Sequence, residues 1–333
     1  MFKINYLTKN SDLIAQVEDF IEQWENSKTW IVAQTSGSTG VPKQIQLNKK
    51  KMRASALMTG AYFDFKPNQS VLLCLSPATI GGKMLILRAL LHGLILWVVD
   101  PQRNPLKAID FPIDFASFVP MQVSAMLEEN PEKLNLVSKI LIGGAAVPTR
   151  IAQQLIPYQT AAFESFGMTE TMSHVALKQL NSTDTFEALP GINFSTEGDQ
   201  LIIHAPQLGL PALKTTDVVE LIDSTHFVWK GRADFVINSG GVKMHPELIE
   251  KKLAHIFKDR YLVVGKPDPL LGEKVVLFIE GNSEAWNENE LNIELSTALE
   301  RYEIPKKVYF VPRFAETTSG KVNRWMTSAL IEE

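Results

Sequence analysis

Hydrophobic and polar residues follow two different patterns along the chain, and the change between them falls near residue 171. From about residue 29 to residue 165, short apolar runs alternate with segments whose apolar positions repeat at helical spacing. This order is typical of strand–helix–strand units that build a largely parallel sheet. Runs that are apolar on both faces indicate strands covered by helices on each side. The predicted strands are 30–33, 71–75, 94–99, 115–119, 139–142 and 161–164, and the predicted helices are 49–62, 83–92, 120–129 and 148–156.

The pattern after residue 171 predicts antiparallel β structure and then a second unit. Short strands separated by turn residues are predicted at 201–204, 218–222 and 227–230. A strand at 235–238, a Gly-Gly turn and a helix beginning at Pro246 start the second unit, which continues with strands at 261–264, 274–280 and 308–311 and a helix at 290–302. We therefore predict an α/β protein. Its large domain, 1–233, has a mostly parallel sheet flanked by helices plus a small β subdomain, and 234–333 form a small α+β domain.

The composition is that of a soluble globular protein and excludes several classes of function. The 33 Lys and Arg residues against 37 Asp and Glu residues give a net charge of −4, so no basic surface is expected for nucleic acid. Cys74 is the single cysteine, which excludes an intrachain disulfide and a thiolate metal cluster. The N-terminus lacks a signal-peptide pattern, and the most apolar stretch, 84–99, is too short for a membrane span. We therefore expect a cytoplasmic protein.

A loop that directly follows the first predicted strand carries the strongest local signal for chemistry. Its two glycines let backbone N–H groups approach an anion, and its hydroxyl groups and lysine add donors. The spacing fits neither a Walker A loop nor a dinucleotide-binding glycine motif. The pattern predicts a phosphate-binding loop, with a flexible surface turn as the alternative. The loop consists of Thr35, Ser36, Gly37, Ser38, Thr39, Gly40, Val41, Pro42 and Lys43.

This loop resembles the Thr-Ser-Gly-Ser-Thr-Gly-x-Pro-Lys signature of the adenylate-forming enzymes, and every fixed position matches. That family includes acyl- and aryl-CoA synthetases, luciferases and peptide-synthetase adenylation domains. Its members convert a carboxylate and ATP into an acyl-adenylate and pyrophosphate, and usually pass the acyl group to a thiol. The resemblance implies that the loop binds the β and γ phosphates of ATP.

The segment Phe166-Gly167-Met168-Thr169-Glu170 is similar to the family's aromatic-Gly-x-Thr-Glu motif. The resemblance implies that Phe166 borders adenine, that Thr169 contacts the α-phosphate and that Glu170 holds Mg²⁺. Oxygen ligands suit this cation. Phenylalanine stands where tyrosine is more usual, so the ring is kept without its hydroxyl. Taken alone, a residue such as Glu170 is more often a solvated carboxylate, and its place after Gly-Met-Thr favours the metal ligand.

Three further matches to the family's nucleotide site follow in the family's order. Gly144 and Ala145 lie in a glycine turn similar to the one that contacts adenine, where a side chain would collide with the base. Asp217 matches the aspartate that accepts hydrogen bonds from both ribose hydroxyls. Arg232 matches the arginine on the ribose and phosphate side, with an interdomain salt bridge as the alternative role.

The last hundred residues resemble the family's mobile C-terminal domain. The resemblance implies that Asp234 is the hinge and that Gly240 and Gly241 border the channel for coenzyme A. Lys321 lies in a Thr-x-x-Gly-Lys motif and would reach the α-phosphate and the substrate carboxylate. Outside this context, a lysine near a C-terminus would be a solvated charge.

The segment that would face the acid departs from the family, because residues 77–83 lack the usual aromatic-His pair. Lys83 offers a cation for an anionic acid, although it could simply face solvent. Several segments most resemble the o-succinylbenzoate–CoA ligases of menaquinone biosynthesis, which act on an aromatic dicarboxylate. The resemblance implies that Thr171, Ser173 and His174 face the acid, with a structural histidine as the alternative for His174.

Only about thirty residues precede the phosphate loop, whereas the family usually has a large region there. Either residues 1–30 or a second subunit in a homodimer covers the apolar surface that this shortening exposes, or the protein is impaired. Our hypothesis is an AMP-forming acid–CoA ligase whose partners are a small-molecule carboxylic acid, ATP with Mg²⁺, and coenzyme A. The alternatives are another aryl- or acyl-CoA ligase, an enzyme that loads a carrier protein, and a non-catalytic nucleotide-binding regulatory module.

Overall fold

The computed structural model describes residues 1–35, 43–257, 259–282, 286–316 and 322–331, with the backbone alone at 33–35 and 43–45. Its helices are α1 (Ser11–Glu25), α2 (Lys49–Phe63), α3 (Ile80–His92), α4 (Pro120–Glu129), α5 (Thr149–Leu155), α6 (Pro246–Leu253), α7 (Glu288–Ala298) and α8 (Arg324–Ser328). None of these helices is long and apolar enough to cross a membrane.

The strands fall into three sheets. In chain order they are β1 (Lys3–Tyr6), β2 (Trp30–Thr35), β3 (Lys43–Asn48), β4 (Ser70–Leu73), β5 (Ile95–Val98), β6 (Ile113–Phe118), β7 (Val137–Ile142), β8 (Ala161–Gly167), β9 (His174–Gln179), β10 (Phe186–Ala188), β11 (Asn193–Glu197), β12 (Gln200–Ala205), β13 (Leu210–Leu221), β14 (His226–Arg232), β15 (Ile237–Ser239), β16 (Val242–Met244), β17 (Tyr261–Asp268), β18 (Gly272–Glu280) and β19 (Lys307–Val311).

The largest sheet has twelve strands in the order β1-β5-β4-β6-β7-β8-β9-β10-β14-β13-β12-β11. Neighbours are parallel from β1 to β8 and antiparallel from β8 to β11. In β4, Leu72 and Leu73 are both buried and belong to hydrophobic clusters on opposite faces, as the doubly apolar runs predicted. The predicted α/β class is confirmed, and the parallel and antiparallel regions are two halves of one sheet.

The strand predicted at 30–33 does not join this sheet, which corrects the expected strand–helix–strand order at its start. It forms β2, which pairs antiparallel with β3 in a separate two-stranded sheet. One face of this sheet is buried at Ile31 and Leu47, whereas Val32 on the other face is 37% exposed. Strand β3 was not predicted from the sequence, although the alternation of polar and apolar residues in this strand is a strand signal.

The N-terminal segment covers one end of the large sheet. Strand β1 pairs parallel with the edge strand β5, from Lys3 opposite Ile95 to Tyr6 opposite Val98. Helix α1 begins after Asn10, whose side chain accepts hydrogen bonds from the first turn. Its buried face belongs to the same core as α3, and it consists of Leu13, Val17 and Phe20. Residues 1–30 therefore cover apolar surface of the large domain, which is one of the alternatives that the sequence left open.

A second sheet of five strands has the order β16-β15-β18-β17, with β19 parallel to β18. Its core includes Ile249 and Leu253 of α6 and Leu291 and Leu295 of α7. The strand predicted at 235–238 starts two residues late, at Ile237, because Ala233–Phe235 form a 3₁₀ turn. The division of the chain into domains 1–233 and 234–333 stays a prediction.

Candidate active site

The parallel half of the large sheet has a reversal of strand order between β4 and β6. From β4 the chain continues to its neighbour β5, and from β6 it continues to β7 on the other side. Ligands of open α/β sheets bind outside the carboxyl ends of the strands at such a reversal. Helix α3 starts shortly after β4, and the glycine turn and the β8–β9 turn follow β7 and β8 at the same edge. This edge is the candidate site.

The glycine turn after β7 is held close to its neighbouring strands. The Gly143 N–H donates to the Phe118 carbonyl at 3.0 Å, and a Cβ on Gly143 would lie only 2.6 Å from Ser165 Oγ. Gly144 has a φ of +87°, which favours glycine. Gly144 and Ala145 are exposed beyond this anchored point. The turn therefore presents backbone, with little side chain, towards the candidate site.

A buried carboxylate anchors the other end of the same turn. Glu164 Oε1 accepts from the Val147 N–H at 2.9 Å, and Glu164 Oε2 pairs with Lys178 Nζ at 2.6 Å. Glu164 was not predicted as a site residue. Its signal in the sequence is a charge inside an apolar strand. Both ends of the glycine turn are therefore attached to the sheet.

The β8–β9 turn carries the second predicted motif. A Cβ on Gly167 would lie 2.4 Å from the Ser173 carbonyl oxygen, so the two strands approach too closely for another residue there. The Phe166 ring packs against Phe227, with 5.1 Å between ring centroids. Thr169 and Glu170 are exposed in a 3₁₀ turn. The turn thus brings both residues to the edge where the glycine turn lies.

The predicted ribose-binding residues lie on adjacent strands, since Asp217 of β13 is paired with Arg232 of β14. Asp217 is buried, and its Oδ1 accepts from the Trp229 indole N–H at 2.9 Å. Its Oδ2 accepts no hydrogen bond from any residue that the structure describes. Trp229, which our sequence analysis did not single out, therefore orients a carboxylate that keeps one oxygen available.

Arg232 makes a salt bridge with the predicted hinge residue. Its Nη2 lies 2.6 Å from Asp234 Oδ2, and both side chains are partly exposed. The Arg232 guanidinium lies 6.0 Å from the Phe235 ring centroid, and that of Arg324 lies 5.2 Å from the same centroid. Phe235 therefore contacts cations from both β14 and α8. The salt bridge joins residues two positions apart, and both roles that the sequence left open for Arg232, the nucleotide contact and the interdomain salt bridge, stay predictions.

Gly240 and Gly241 form the two-residue turn between β15 and β16. Both have positive φ, +58° and +82°, and the flanking residues Ser239 and Val242 are paired. A two-residue hairpin turn of this kind needs positive φ at both positions, which favours glycine. The hairpin geometry accounts for the two glycines, and their role beside coenzyme A stays a prediction.

The residues predicted to face the acid lie on α3, in the β8–β9 turn and at the start of β9. Thr171 is buried, and its hydroxyl lies within hydrogen-bond distance of the Ser173 and Met168 carbonyls. Lys83 is buried against α1, with Nζ 5.3 Å from the Phe20 ring centroid. Burial lowers the pKa of Lys83, and the nearby Asp19 opposes this shift. Their contact with the acid stays a prediction.

Ser173 and His174 belong to a buried polar network that reaches Arg88 of α3. Arg88 is 2% exposed, and its Nη2 donates to Ser173 Oγ at 2.9 Å. Burial lowers the pKa of Arg88 to about 9, so the guanidinium is charged at neutral pH. Its Nε has no hydrogen-bond partner in the described part of the chain. The sequence offered one signal for Arg88, a charge within the apolar run 84–91, and our sequence analysis gave it no role.

Part of the predicted site lies outside the described residues: Ser36, Gly37, Ser38, Thr39, Gly40 and Lys321. Thr35 and Lys43 are described by their backbone alone, and they are paired at the end of the β2–β3 hairpin. Among the described residues, no group of three or more His, Cys, Asp and Glu side chains forms a metal site. The lone carboxylate of Glu170 fits Mg²⁺, which proteins often bind through one carboxylate together with phosphates and water.

Comparison with known proteins agrees with this geometry. The family model of the AMP-binding enzymes matches residues 8–204, and that of the AMP-binding enzyme C-terminal domain matches residues 255–321. The chain belongs to the AMP-binding enzyme family. The resemblance that the motifs indicated is thereby confirmed.

Individual relatives cover most of the chain. A 2-succinylbenzoate–CoA ligase of Staphylococcus epidermidis is 28% identical in an alignment of 323 positions that covers 87% of this chain and 67% of that protein. A solved structure of an AMP-forming acyl-CoA synthetase/AMP-acid ligase II-like protein from Dyadobacter fermentans is 34% identical in sequence, with a TM-score of 0.66. The match covers 97% of this chain and 95% of that one. The o-succinylbenzoate coenzyme A synthetase of Bacillus subtilis shares the fold with a TM-score of 0.75 at 21% identity, over 89% of this chain and 69% of that one.

Proposed function

We propose that this AMP-binding enzyme is an acid–thiol ligase that converts o-succinylbenzoate, ATP and coenzyme A into o-succinylbenzoyl-CoA, AMP and pyrophosphate, as a step of menaquinone biosynthesis. The family and the ligases among its relatives support the reaction class. The observation that carries the choice of acid is Arg88, a buried cation that contacts the β8–β9 turn and has no acidic partner among the described residues. An acid with a second carboxylate supplies that partner.

In the first half-reaction a carboxylate oxygen attacks the α-phosphorus of ATP, and the bond to the bridging oxygen breaks, so the electron pair leaves with pyrophosphate. We assign the ribose hydroxyls to Asp217, the adenine to Gly144, Ala145 and Phe166, and the β and γ phosphates to residues 35–43. Thr169 and Lys321 would hold the α-phosphate as charge develops on it. Mg²⁺ held by Glu170 neutralises phosphate charge when bound.

In the second half-reaction the thiol of coenzyme A attacks the acyl carbonyl, and AMP leaves with the electron pair of the acyl–oxygen bond. We propose that residues 234–333 rotate about Asp234 between the two steps and bring Gly240 and Gly241 to the pantetheine channel. The Arg232–Asp234 salt bridge lies at this hinge, so rotation must rearrange it. Domain rotation of this kind is a common way to separate two chemical steps.

Acid-dependent ATP–pyrophosphate exchange tests the proposal, with o-succinylbenzoate, benzoate and a fatty acid as substrates. We expect exchange to be fastest with o-succinylbenzoate. Faster exchange with another acid would move the chain to a different aryl- or acyl-CoA ligase. ATP binding without exchange for any acid would favour the non-catalytic regulatory module. Comparing coenzyme A with a carrier protein as acceptor separates the remaining enzyme alternative.

Two further expectations belong to the same proposal. We place the enzyme in the cytoplasm, where ATP and coenzyme A are available. The expectation of a homodimer concerned apolar surface of the sheet that a second subunit would cover. Strand β1 and helix α1 cover surface of this kind. Sedimentation equilibrium measures the oligomeric state directly, and a monomer would remove this expectation.

A further inference from the structure

The network around Arg88 joins four side chains from three elements into one buried chain of hydrogen bonds. Arg88 of α3 contacts Ser173, Ser173 Oγ lies 3.3 Å from His174 Nδ1, and His174 Nε2 lies 3.0 Å from Thr59 Oγ1 of α2. Thr59 is fully buried and His174 is 5% exposed. The last hydrogen bond of this network is the one that the Thr59 hydroxyl donates to the Ser55 carbonyl at 3.1 Å.

The hydrogen bonds of this network have one consistent direction. A carbonyl can only accept, so the Thr59 proton goes to Ser55, and Thr59 Oγ1 must accept from His174 Nε2–H. Burial, together with the positive charge of Arg88, holds the pKa of His174 well below its usual value. His174 is therefore neutral, and its unprotonated Nδ1 accepts from the Ser173 hydroxyl. The Ser173 oxygen is left to accept from Arg88.

This direction fixes one nitrogen of the guanidinium and leaves another without a partner among the described residues. Arg88 is held through Nη2, whereas its buried Nε donates to no described residue. A buried cation without a counter-ion is costly, so proteins usually provide an acid for it. Burial lowers the pKa of Arg88, and no acid among the described residues opposes this shift. The arrangement fits a guanidinium kept in place for an anion that arrives with the substrate.

We propose that His174 and Thr59 are positioning residues, which orient Arg88 through Ser173 and so set the preference for acids that carry a second negative group. This inference rests on the proposed function and adds residues to it. If Thr59 could not accept, the His174 proton would move to Nδ1 and compete with Arg88 for the Ser173 oxygen. The guanidinium would then lose its fixed orientation, while the ATP-binding edge would be unchanged.

The test compares kcat/KM for o-succinylbenzoate with kcat/KM for benzoate in ATP–pyrophosphate exchange. Thr59→Val keeps the shape of the side chain but removes the acceptor, and we expect it to lower the ratio about fivefold through the KM for o-succinylbenzoate. Ser173→Ala should lower the ratio about tenfold or more, because it removes the acceptor of a charged group. Thr59→Ser should restore the wild-type ratio.

Ser55→Ala is the matched control, since it removes a buried hydroxyl that has no partner in the described structure, one helical turn from Thr59. It should leave the ratio unchanged. A ratio unaffected by Thr59→Val, or equal losses for both acids and for ATP, would overturn the inference and leave the network a purely structural one.

An NMR measurement separates failure of this inference from failure of the proposed function. The ¹⁵N shifts of the His174 ring should report the Nε2–H tautomer in the wild-type protein and its loss in Thr59→Val. An Nδ1–H tautomer in the wild type would overturn the inference whatever the substrate is. ATP–pyrophosphate exchange by the wild-type enzyme with other acids only would instead contradict the proposed substrate. The ratio of kcat/KM values would then be measured between a dicarboxylic and a monocarboxylic acid of the class that the enzyme accepts.

Discussion

Arg324 of α8 and Arg88 of α3 are both largely removed from solvent, and the two arginines differ in their partners. Beside the five-stranded sheet, Arg324 makes two hydrogen bonds to Glu250, at 2.8 and 2.6 Å, and a third to the Val263 carbonyl. Burial disfavours its charge, but Glu250 outweighs burial and raises the pKa of Arg324. In α3, which packs on the twelve-stranded sheet, Arg88 has one hydroxyl as its partner among the described residues and a lowered pKa. Arg324 thus has its counter-ion within the chain, whereas the part of the chain that the structure describes offers none to Arg88.

The largest effect that this comparison predicts is on stability, from Arg324→Met. Removing one partner of a mostly buried ion pair leaves Glu250 as an uncompensated charge, so we expect a loss of about 3 kcal/mol in the free energy of unfolding. Urea unfolding measures it. The double variant with Glu250→Leu should recover most of the loss, because two apolar side chains replace both charges. A single variant as stable as the wild type would contradict the structural role.

Arg88→Met should behave in the opposite way. It removes a buried cation that has no acidic partner among the described residues, so the free energy of unfolding should stay within about 1 kcal/mol of wild type or rise. We expect kcat/KM for o-succinylbenzoate to fall about 10²-fold, since the second carboxylate loses its charged partner, while the KM for ATP stays unchanged. ATP–pyrophosphate exchange measures the kinetic constants, and urea unfolding of the same sample measures the free energy of unfolding. A stability loss as large as that of Arg324→Met would abolish the distinction.

Trp229→Phe tests the ribose side, where a protein donor orients a carboxylate. The variant removes the indole N–H that bonds Asp217, at a site distant in sequence from Arg88. We expect the KM for ATP to rise about three- to tenfold, the equivalent of one hydrogen bond, with no change in the preference between acids. A change in acid preference would show that the two sides of the site are not independent.

The smallest effect concerns pH. The pKa of His174 is lowered in the folded protein, and its unfolded value is about 6.5. Below pH 6.5 the unfolded chain therefore binds a proton that the folded protein does not, so stability falls as the pH falls. His92 and His245 are shifted in the same direction by burial and add to the trend. Thermal unfolding between pH 7.5 and 5 should show a shallower decline for His174→Gln than for the wild type.

Local patterns were sufficient to predict much of the fold. Helix α4 begins and ends where the sequence predicted, because Pro120 starts it and its apolar positions keep helical spacing. The parallel strands β4 to β8 were predicted within a few residues, since each is a short apolar run. Strand β3 was missed, and β2 was placed in the wrong sheet. Pairing between strands depends on partners elsewhere in the chain, and an apolar run does not specify them.

The candidate site divides in the same way. The sequence alone determined the α/β class and the family, because the phosphate loop and the Gly-x-Thr-Glu motif are contiguous residues at fixed spacing. Only the tertiary structure decided that His174 meets Thr59, 115 residues away, and that Ser173 meets Arg88, 85 residues away. It also decided that β1 pairs with the strand β5 at the end of the sheet and that α1 packs into the same core as α3. These contacts arise from the packing of α2, α3 and β9, and hydrophobic periodicity specifies which face of an element is buried but not which element covers it.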